Sequence, residues 1–441
     1  MNSKIYLIVD NHSKDTVYLH PITAERMKIE EGTGTLKFGT QASTINIIIT
    51  AKYKENELYI SENVLKHLKI PLFCEFEFIN DQQNLMIGPF IGILASLSKK
   101  ELEGNLNNFS DYVYHYDQIG GAIIVFSLDE VTPEEQTIQG FMFNPTNKEW
   151  EKGIYLYPSS LFLRIKWFGP KWQQHFESFM GNKIFNNFYF DKWSIHKHLM
   201  NSPDLTDYVP KTVLYTKPSD LLSFLKGNSS AYLKPINSSR GNGIIKIDRL
   251  GKNRALVKYF GRSKVTQKNL NNQKEMNRFF RQRLIPGKYI VQKSLDLVTK
   301  NAGIIDFRIY LTKDSTKEWK YITTFSKEGM PGEIVSNINR GGVAGRGLQL
   351  LKETLFLTDQ EVNEIEHTMQ TAAIKAVKAL EKSGVHFANT GVDIGVDITK
   401  KVWIIEIQFN SPGQKGFLLD KTLYHEYLKT IMLYSKSLAE F

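Results

Sequence analysis

Along the first 90 or so residues, short apolar runs (KIYLIV, TLKFG, STINIIITAKY, ELYISENV, CEFEFI) are separated by polar turns. Their period-two texture predicts strands. The pattern therefore predicts a β-rich N-terminal domain over residues 1–90, a candidate interaction module. Two phrases within it, LHPITAERMKIEEGTGTLKFG and LYISENVLKHLKIPLFCEFEF, each read as strand, short helix, strand, as in an internally duplicated barrel. From about Ile87 the texture changes. MIGPFIGILA, KKELEGNLNNFSDYVYHYDQIG, GAIIVFSL, TIQGFMFNPTNKEWEKGIYLY and SSLFLRIKW read as strand, helix, strand, strand, and strand or helix. This alternation predicts a small α/β domain over residues 91–187. A third region, residues 188–441, begins near KIFNNFYFDKWSIHKHLMNSP without a Pro/Gly/Ser-rich linker, so the boundary is soft.

Composition narrows the function classes. A chain of 441 residues with 41% hydrophobic and 23% charged residues excludes disorder as its main state. Cys74 is the single cysteine, so no internal disulfide exists and a reducing compartment is expected. The N-terminus MNSKIYLIVDNHSKD lacks a signal-peptide pattern, and no apolar run approaches the roughly 18 residues of a spanning helix. These features predict cytoplasmic synthesis and no membrane insertion. The formal net charge of +10 is local: residues 249–288 carry twelve Lys and Arg against Glu275, a net +11, which leaves the rest of the chain at −1. Such a segment suits a polyanion.

Several constellations could carry chemistry. In AYLKPINSSRGNGIIKI, residues 231–247, a strand ends in Lys234-Pro235, a loop with Gly241 and Gly243 follows, and a second strand resumes. Such a hairpin lets backbone N–H groups approach an anion beside a lysine, although a plain turn has the same sequence character. Rival nucleotide motifs are absent: no Walker A sequence occurs, a kinase would place its glycine loop before the strand lysine, and no Rossmann glycine motif opens a helix. In TGVDIGVDITKKVWIIEIQFNSPG, two strands flank the turn ITKK. Asp393 and Glu406 can then oppose each other, with Gln408 on the same side as Glu406. Two carboxylates and an amide oxygen make a hard-oxygen site for Mg²⁺. If they serve a metal, relief of their mutual repulsion predicts that neutral amides there raise stability without it, whereas a structural Glu406 paired with a buried cation would lose roughly 3 to 5 kcal/mol on substitution. A solvated Asp393 is the alternative, but Glu406 inside Val402–Ile407 needs a partner. IIDFRIYLT places Asp306 and Arg308 on one strand face, SNINRGGVAGRG is a basic loop, and Asp191-Lys192 opens a helix.

The order of these pieces resembles the ATP-grasp fold, in particular its RimK-like branch, which shares the Asp-x-Arg and Asn-x-x-Arg-Gly-Gly phrases. Over the full length, including Ile87–Ile93 and YPSSLFLRI, the chain resembles the YheC/YheD-like endospore coat-associated family. The ATP-grasp likeness covers roughly residues 188–441. It implies an α+β multidomain protein in which two lobes grip ATP between antiparallel sheets. By this resemblance Lys192 and Lys234 reach the nucleotide phosphates, and Ser239, Arg240, Gly241, Asn242 and Gly243 form the loop that closes over them. Gln292 and Lys293 resemble the hinge pair that recognises adenine, and Asp296 is the nearest candidate for the ribose-binding acid. Arg308 and Arg340 resemble the arginines that hold the substrate carboxylate and the transferring phosphate. Asp393, Glu406 and Gln408 fall on the Mg²⁺-ligand pattern, and the 13-residue interval from Asp393 to Glu406 is similar to the D-Ala-D-Ala ligase-like arrangement. Typical members carry Asn where this chain has Gln408. The family has no assigned substrate. The expected activity is a carboxylate–amine ligase working through an acyl phosphate in spore coat formation. Its rivals are an ATP-binding coat assembly protein without turnover and a polyanion-binding protein. An acidic peptide or polymer ranks above nucleic acid as the partner, and coat proteins are further candidates.

Overall fold

The period-two runs of the first ninety residues close on themselves. In the computed structural model, which describes residues 3–166, 168–188, 190–238, 241–261, 265–336, 341–409, 413 and 415–441, seven strands form a closed barrel in the order β1-β5-β2-β4-β3-β7-β6. They are β1 (Ser3–Asp10), β2 (Thr16–Leu19), β3 (Gly32–Phe38), β4 (Gln41–Ile49), β5 (Glu57–Ser61), β6 (Phe76–Asp81) and β7 (Asn84–Gly88). The two similar phrases follow the same path, strand, helix, strand, strand. Their helices, Pro21–Met27 and Glu62–Leu68, both end on a lysine in the left-handed conformation, Lys28 at φ 54° and Lys69 at φ 49°. ELYISENV is not one strand: it breaks at Ser61, because Val64, Leu65 and Leu68 fall on one helical face that the barrel buries.

The second domain is a mixed sheet of β8 (Phe90–Ser96), β9 (Ala122–Ser127), β10 (Val131–Thr132), β11 (Thr137–Asn144), β12 (Glu149–Leu156), β13 (Ser160–Leu163) and β14 (Ile184–Phe185). Its central strand β9 is buried at every residue, because both sheet faces are covered. Ile124 and Phe126 join the barrel core, whereas Ile123 and Val125 belong to a second core shared with residues 102–119 and with the helix Lys421–Leu438, which returns from the far end of the chain. Ser160 Oγ donates to the Ser435 carbonyl at 2.8 Å, Lys436 pairs with Glu77, and the Phe441 ring lies where a Cβ on Gly88 would be. Two expectations change here. Residues 137–157 form a hairpin rather than one strand, since Asn144 caps a turn through Thr146 N–H and Lys148 takes φ 60°. The segment 99–120 is three short helical pieces, the first closed at Gly104.

The remaining chain forms two lobes with separate cores. The small lobe is an antiparallel sheet in the order β15-β20-β16-β17-β18-β19. Its strands are β15 (Thr212–Tyr215), β16 (Ser230–Pro235), β17 (Ile245–Arg249), β18 (Ala255–Phe260), β19 (Val265–Leu270) and β20 (Tyr289–Lys293). The helices Pro218–Lys226 and Gln273–Arg283 cover one face over Leu233, Ile247 and Val257. The large lobe has β21 (Thr299–Lys300), β22 (Gly303–Lys313), β23 (Trp319–Glu328), β24 (Val343–Arg346), β25 (Asn389–Val396) and β26 (Val402–Phe409), ordered β24-β23-β22-β25-β26 with β21 on β22. The helix Asp359–Glu381, started by a Thr358/Glu361 capping box, lays Ala372, Ala373 and Ala376 against this sheet, where small side chains permit close approach. Among the described residues no helix is long and apolar enough to cross a membrane.

Candidate functional site

Between the lobes lies a cleft of about 790 Å³. Its roof is the β16–β17 hairpin, which pairs in the register Tyr232↔Lys246. Gly243, at φ 73°, allows the return of the chain: a Cβ there would sit 2.8 Å from the Pro235 ring. Lys234 Nζ donates to Gln292 Oε1 at 2.6 Å, and Gln292 Nε2 donates to Thr212 Oγ1 at 3.2 Å. Gln292 thus orients the lysine. Burial pushes the Lys234 ammonium down to about 8, partly opposed by the charge of Glu406. Lys234 and Lys246 each stand 5.8 Å from the Tyr232 ring centre, a cation–π arrangement.

The floor comes from four strands in register. Arg308 on β22 lies opposite Asp393 on β25, and Asp393 lies opposite Glu406 on β26. A bulge after Asp393 leaves Ile405 without an opposite residue, which keeps Glu406 and Gln408 on the cleft side. Arg308 grips Asp393 with both arms, Nε to Oδ1 at 2.7 Å and Nη2 to Oδ2 at 2.8 Å. Lys327 on β23 stands 2.8 Å from Asp306 Oδ1 and 3.1 Å from Asp393 Oδ1. Gln408 Nε2 approaches Asp393 Oδ2 at 3.4 Å. Burial alone would raise the Asp393 carboxyl, but Arg308 and Lys327 more than offset it and hold it at about 2. Asp306 moves the other way: burial raises it despite Lys327 and a hydrogen bond from Ser336. Arg308 is raised, because Asp393 outweighs the effect of burial. The expectation that Asp393 and Glu406 chiefly repel each other is thereby corrected, since each carboxylate has its own cation.

Lys192 joins roof and floor. Asp191 caps its helix by accepting from Ser194 N–H at 2.7 Å, which fixes the first turn at the cleft edge. From there Lys192 Nζ donates to the Ser238 carbonyl in the hairpin and stands 3.0 Å from Glu406 Oε1.

The cleft gathers Lys192, Lys234, Gly241, Asn242, Gln292, Lys293, Asp296, Arg308, Asp393, Glu406 and Gln408 from positions up to 216 residues apart. Gly243 sits behind Pro235 rather than on the cleft wall. Ser239, Arg240 and Arg340 lie outside the described residues. Lys327, Tyr232, Lys246, Lys166 and Lys415 also line the cleft and were not singled out from the sequence. Lys327 is the most informative of these. Its sequence neighbours, in the strand Trp319–Glu328, give it no signal, and its importance comes from the register that sets it opposite Asp306. In all, eight Lys or Arg and four Asp or Glu line the cleft among the described residues, leaving four positive charges. Such a wall is complementary to a polyanion and to charge developing on oxygen.

A family model described as YheC/D like ATP-grasp matches residues 181–438, a span that takes in both lobes and Lys192. The chain is 25% identical over 432 residues to the endospore coat-associated protein YheD of Bacillus subtilis (strain 168), covering 95% of this chain and 92% of that protein. It is 20% identical over 337 residues to the endospore coat-associated protein YheC of the same organism, covering 72% of this chain and 87% of that one. Among solved structures, the VanG D-Ala:D-Ser ligase from Enterococcus faecalis is similar with a TM-score of 0.44 and 11% identity, over 78% of this chain and 98% of that one. With more than half its length matched by the family, this chain belongs to the YheC/D-like ATP-grasp proteins.

Proposed function

We propose that the protein is an ATP- and Mg²⁺-dependent carboxylate–amine ligase that acts in association with the spore coat. The observation that carries this reading is the surplus of four positive charges in a cleft between two lobes, which suits a nucleoside triphosphate. The coat association rests on the names of the two Bacillus relatives. A carboxylate is a poor electrophile, and phosphorylation activates it. Its oxygen attacks the γ-phosphorus, the bond to the β-phosphate oxygen breaks and ADP leaves. An amine then attacks the acyl carbon, the carbon–oxygen bond to phosphate breaks, and the proton lost by the amine leaves with phosphate or solvent.

In this reading Lys234 and Lys192 hold the phosphates, and backbone N–H groups of the loop carrying Ser239, Arg240, Gly241, Asn242 and Gly243 close over them. Closure excludes water from the acyl phosphate. Gln292 and Lys293 form the adenine hinge, Asp296 meets the ribose, and Arg308, Arg340 and Lys327 stabilise the carboxylate and the transferring phosphoryl oxygens. Asp393 has its acceptor positions taken by Arg308, Lys327 and Gln408, whereas among the described residues Glu406 has one ion pair, with Lys192 at 3.0 Å. These are hard oxygens, and Mg²⁺ is commonly held by one or two carboxylates with phosphate oxygens completing its shell. Among the described residues no three His, Cys, Asp or Glu side chains gather as a metal site of their own, so the set fits an ion that would arrive with the nucleotide and be held by Glu406 and Gln408, with Asp393 as the third oxygen donor of the family pattern. When bound it neutralises charge on the β- and γ-phosphates.

Hydroxylamine traps an acyl phosphate as a hydroxamate. Incubating the protein with Mg-ATP and a panel of amino acids and acidic peptides is expected to yield hydroxamate and ADP in equal amounts with at least one acid. A second reading, a nucleotide-binding coat assembly protein without turnover, is favoured by the engagement of Asp393 and by Gln408 in place of Asn. Nucleotide binding with no hydroxamate from any acid would decide for it.

A further inference from the structure

The small lobe, residues 211–293, holds nineteen Lys and Arg against three acids, Asp220, Asp248 and Glu275, a net +16 that leaves the rest of the chain at −6. Its one ion pair among the described residues is Lys246–Asp248, at 4.0 Å. Not all of this charge is available to a partner. Arg249 Nη1 donates to the carbonyls of Leu225 and Lys226 at 3.1 and 3.3 Å, capping the helix Pro218–Lys226. Arg283 lies over the rings of Tyr259 and Phe279, 4.4 and 4.8 Å from their centres. Arg262 and Lys264 lie outside the described residues. What remains is organised. Lys274, Arg278 and Arg281 fall at i, i+4 and i+7 on the exposed side of the helix Gln273–Arg283, opposite the buried Met276, Phe279 and Phe280. That helix packs against β19, where exposed Lys268 lies opposite Val257, a residue of the helix-side core. Lys268 therefore points to the side of the sheet that carries this helix and its stripe.

β19 is the outermost strand of its sheet and pairs only with β18 among the described residues. An edge strand offers backbone N–H and C=O groups to another backbone. We infer that the strip formed by edge strand β19 and the cationic helix face is a docking surface for an extended acidic polypeptide, which presents a side-chain or terminal carboxylate to the cleft. Charge complementarity selects an anion, and the strand edge selects a polypeptide over a nucleic acid. No aromatic ring of the small lobe is among its exposed large apolar side chains, Leu250 and Ile285, so base stacking has no platform. The fate of the carboxylate rests on the ligase reading above; the docking itself does not.

The test uses the full chain and a fluorescent 20-residue poly-L-glutamate, followed by anisotropy, with a dT 20-mer of the same length as competitor. Binding is expected to weaken at least tenfold between 50 and 200 mM salt. It is expected to weaken at least tenfold in K274E/R278E/R281E, and by an intermediate factor in K274Q/R278Q/R281Q, with affinity for a non-hydrolysable ATP analogue within twofold of wild type. Poly-glutamate binding that ignores these substitutions, or a dT 20-mer that binds more tightly, overturns the proposal. Hydroxamate formed from a free amino acid by a protein that does not bind poly-glutamate removes the dock and leaves the ligase. Salt-sensitive poly-glutamate binding without any hydroxamate leaves the dock and removes the ligase.

Discussion

In the large lobe most of the described cations are answered by acids: Lys320 meets Asp314 at 2.6 Å, Lys352 meets Asp359 at 2.6 Å, Lys400 meets Glu361 at 2.6 Å, and Lys327 serves both Asp306 and Asp393. Across the cleft, Asp248 is the one small-lobe acid that pairs with a small-lobe cation among the described residues. The large lobe has made its electrostatic contacts within itself, and its carboxylates arrive in register from neighbouring strands. The small lobe leaves its charge for ligands. The same residue type thus has different consequences on the two sides: a buried large-lobe charge is a structural member, and an exposed small-lobe charge is a recognition element.

The sharpest way to break this contrast is Asp393→Asn. Removing one partner of a buried pair takes from Arg308 its two-armed carboxylate and leaves Lys327 with Asp306 alone, with an expected loss of roughly 3 to 5 kcal/mol in chemical denaturation. The sign with pH follows from the depressed carboxyl. Its contribution is present above the ordinary carboxylate range and is lost as pH falls through about 2, so the acid limb of the wild-type stability curve should be steeper than that of the variant. A variant as stable as wild type would return Asp393 to the role of a ligand only.

Lys234→Met comes next. Loss of a charge-assisted contact should weaken binding of an ATP analogue by about ten- to a hundredfold in calorimetric titration. The lysine itself is held near 8 against an ordinary 10.5, so burial of its charge costs stability below pH 8 and ceases to do so above 10.5. The melting temperature of the variant should therefore exceed that of wild type at pH 7. The difference, at most roughly 3 kcal/mol and reduced because Gln292 loses its donor, should close as pH rises through that window.

The smallest effects sharpen the comparison within the small lobe. Arg283→Ala should cost about 1 kcal/mol in thermal unfolding, because stacking on Tyr259 and Phe279 is lost. Lys274→Ala and Arg278→Ala should each change stability by less than about 0.5 kcal/mol.

Much of this was legible in the sequence. Asp393 and Glu406 oppose each other because a short turn joins two apolar runs, and Asp191 starts a helix because its side chain can cap one. The barrel was legible as two similar phrases. What escaped depends on register between strands far apart in the chain. Nothing near Lys327 announces that it will lie opposite Asp306, and nothing near Gln292 announces that its amide will be spent on Lys234. The cationic segment misled in one respect: counted along the chain it is one cluster, but folding assigns Arg249 to a helix end and Arg283 to two aromatic rings, and leaves a narrower strip exposed.

The return of Lys421–Leu438 to the second-domain sheet has a consequence for synthesis. The short helical pieces of residues 99–119 cover part of the face bearing Ile123 and Val125 at once, but the share of that core filled by Tyr427, Leu428, Ile431 and Met432 stays open while more than 290 further residues are made, until that helix emerges. The barrel can close as soon as its strands leave the ribosome, but its neighbour must wait, exposing a hydrophobic surface of the kind that chaperones shield. Translational pausing or premature termination within the ATP-grasp region would therefore be expressed first as aggregation of the N-terminal half.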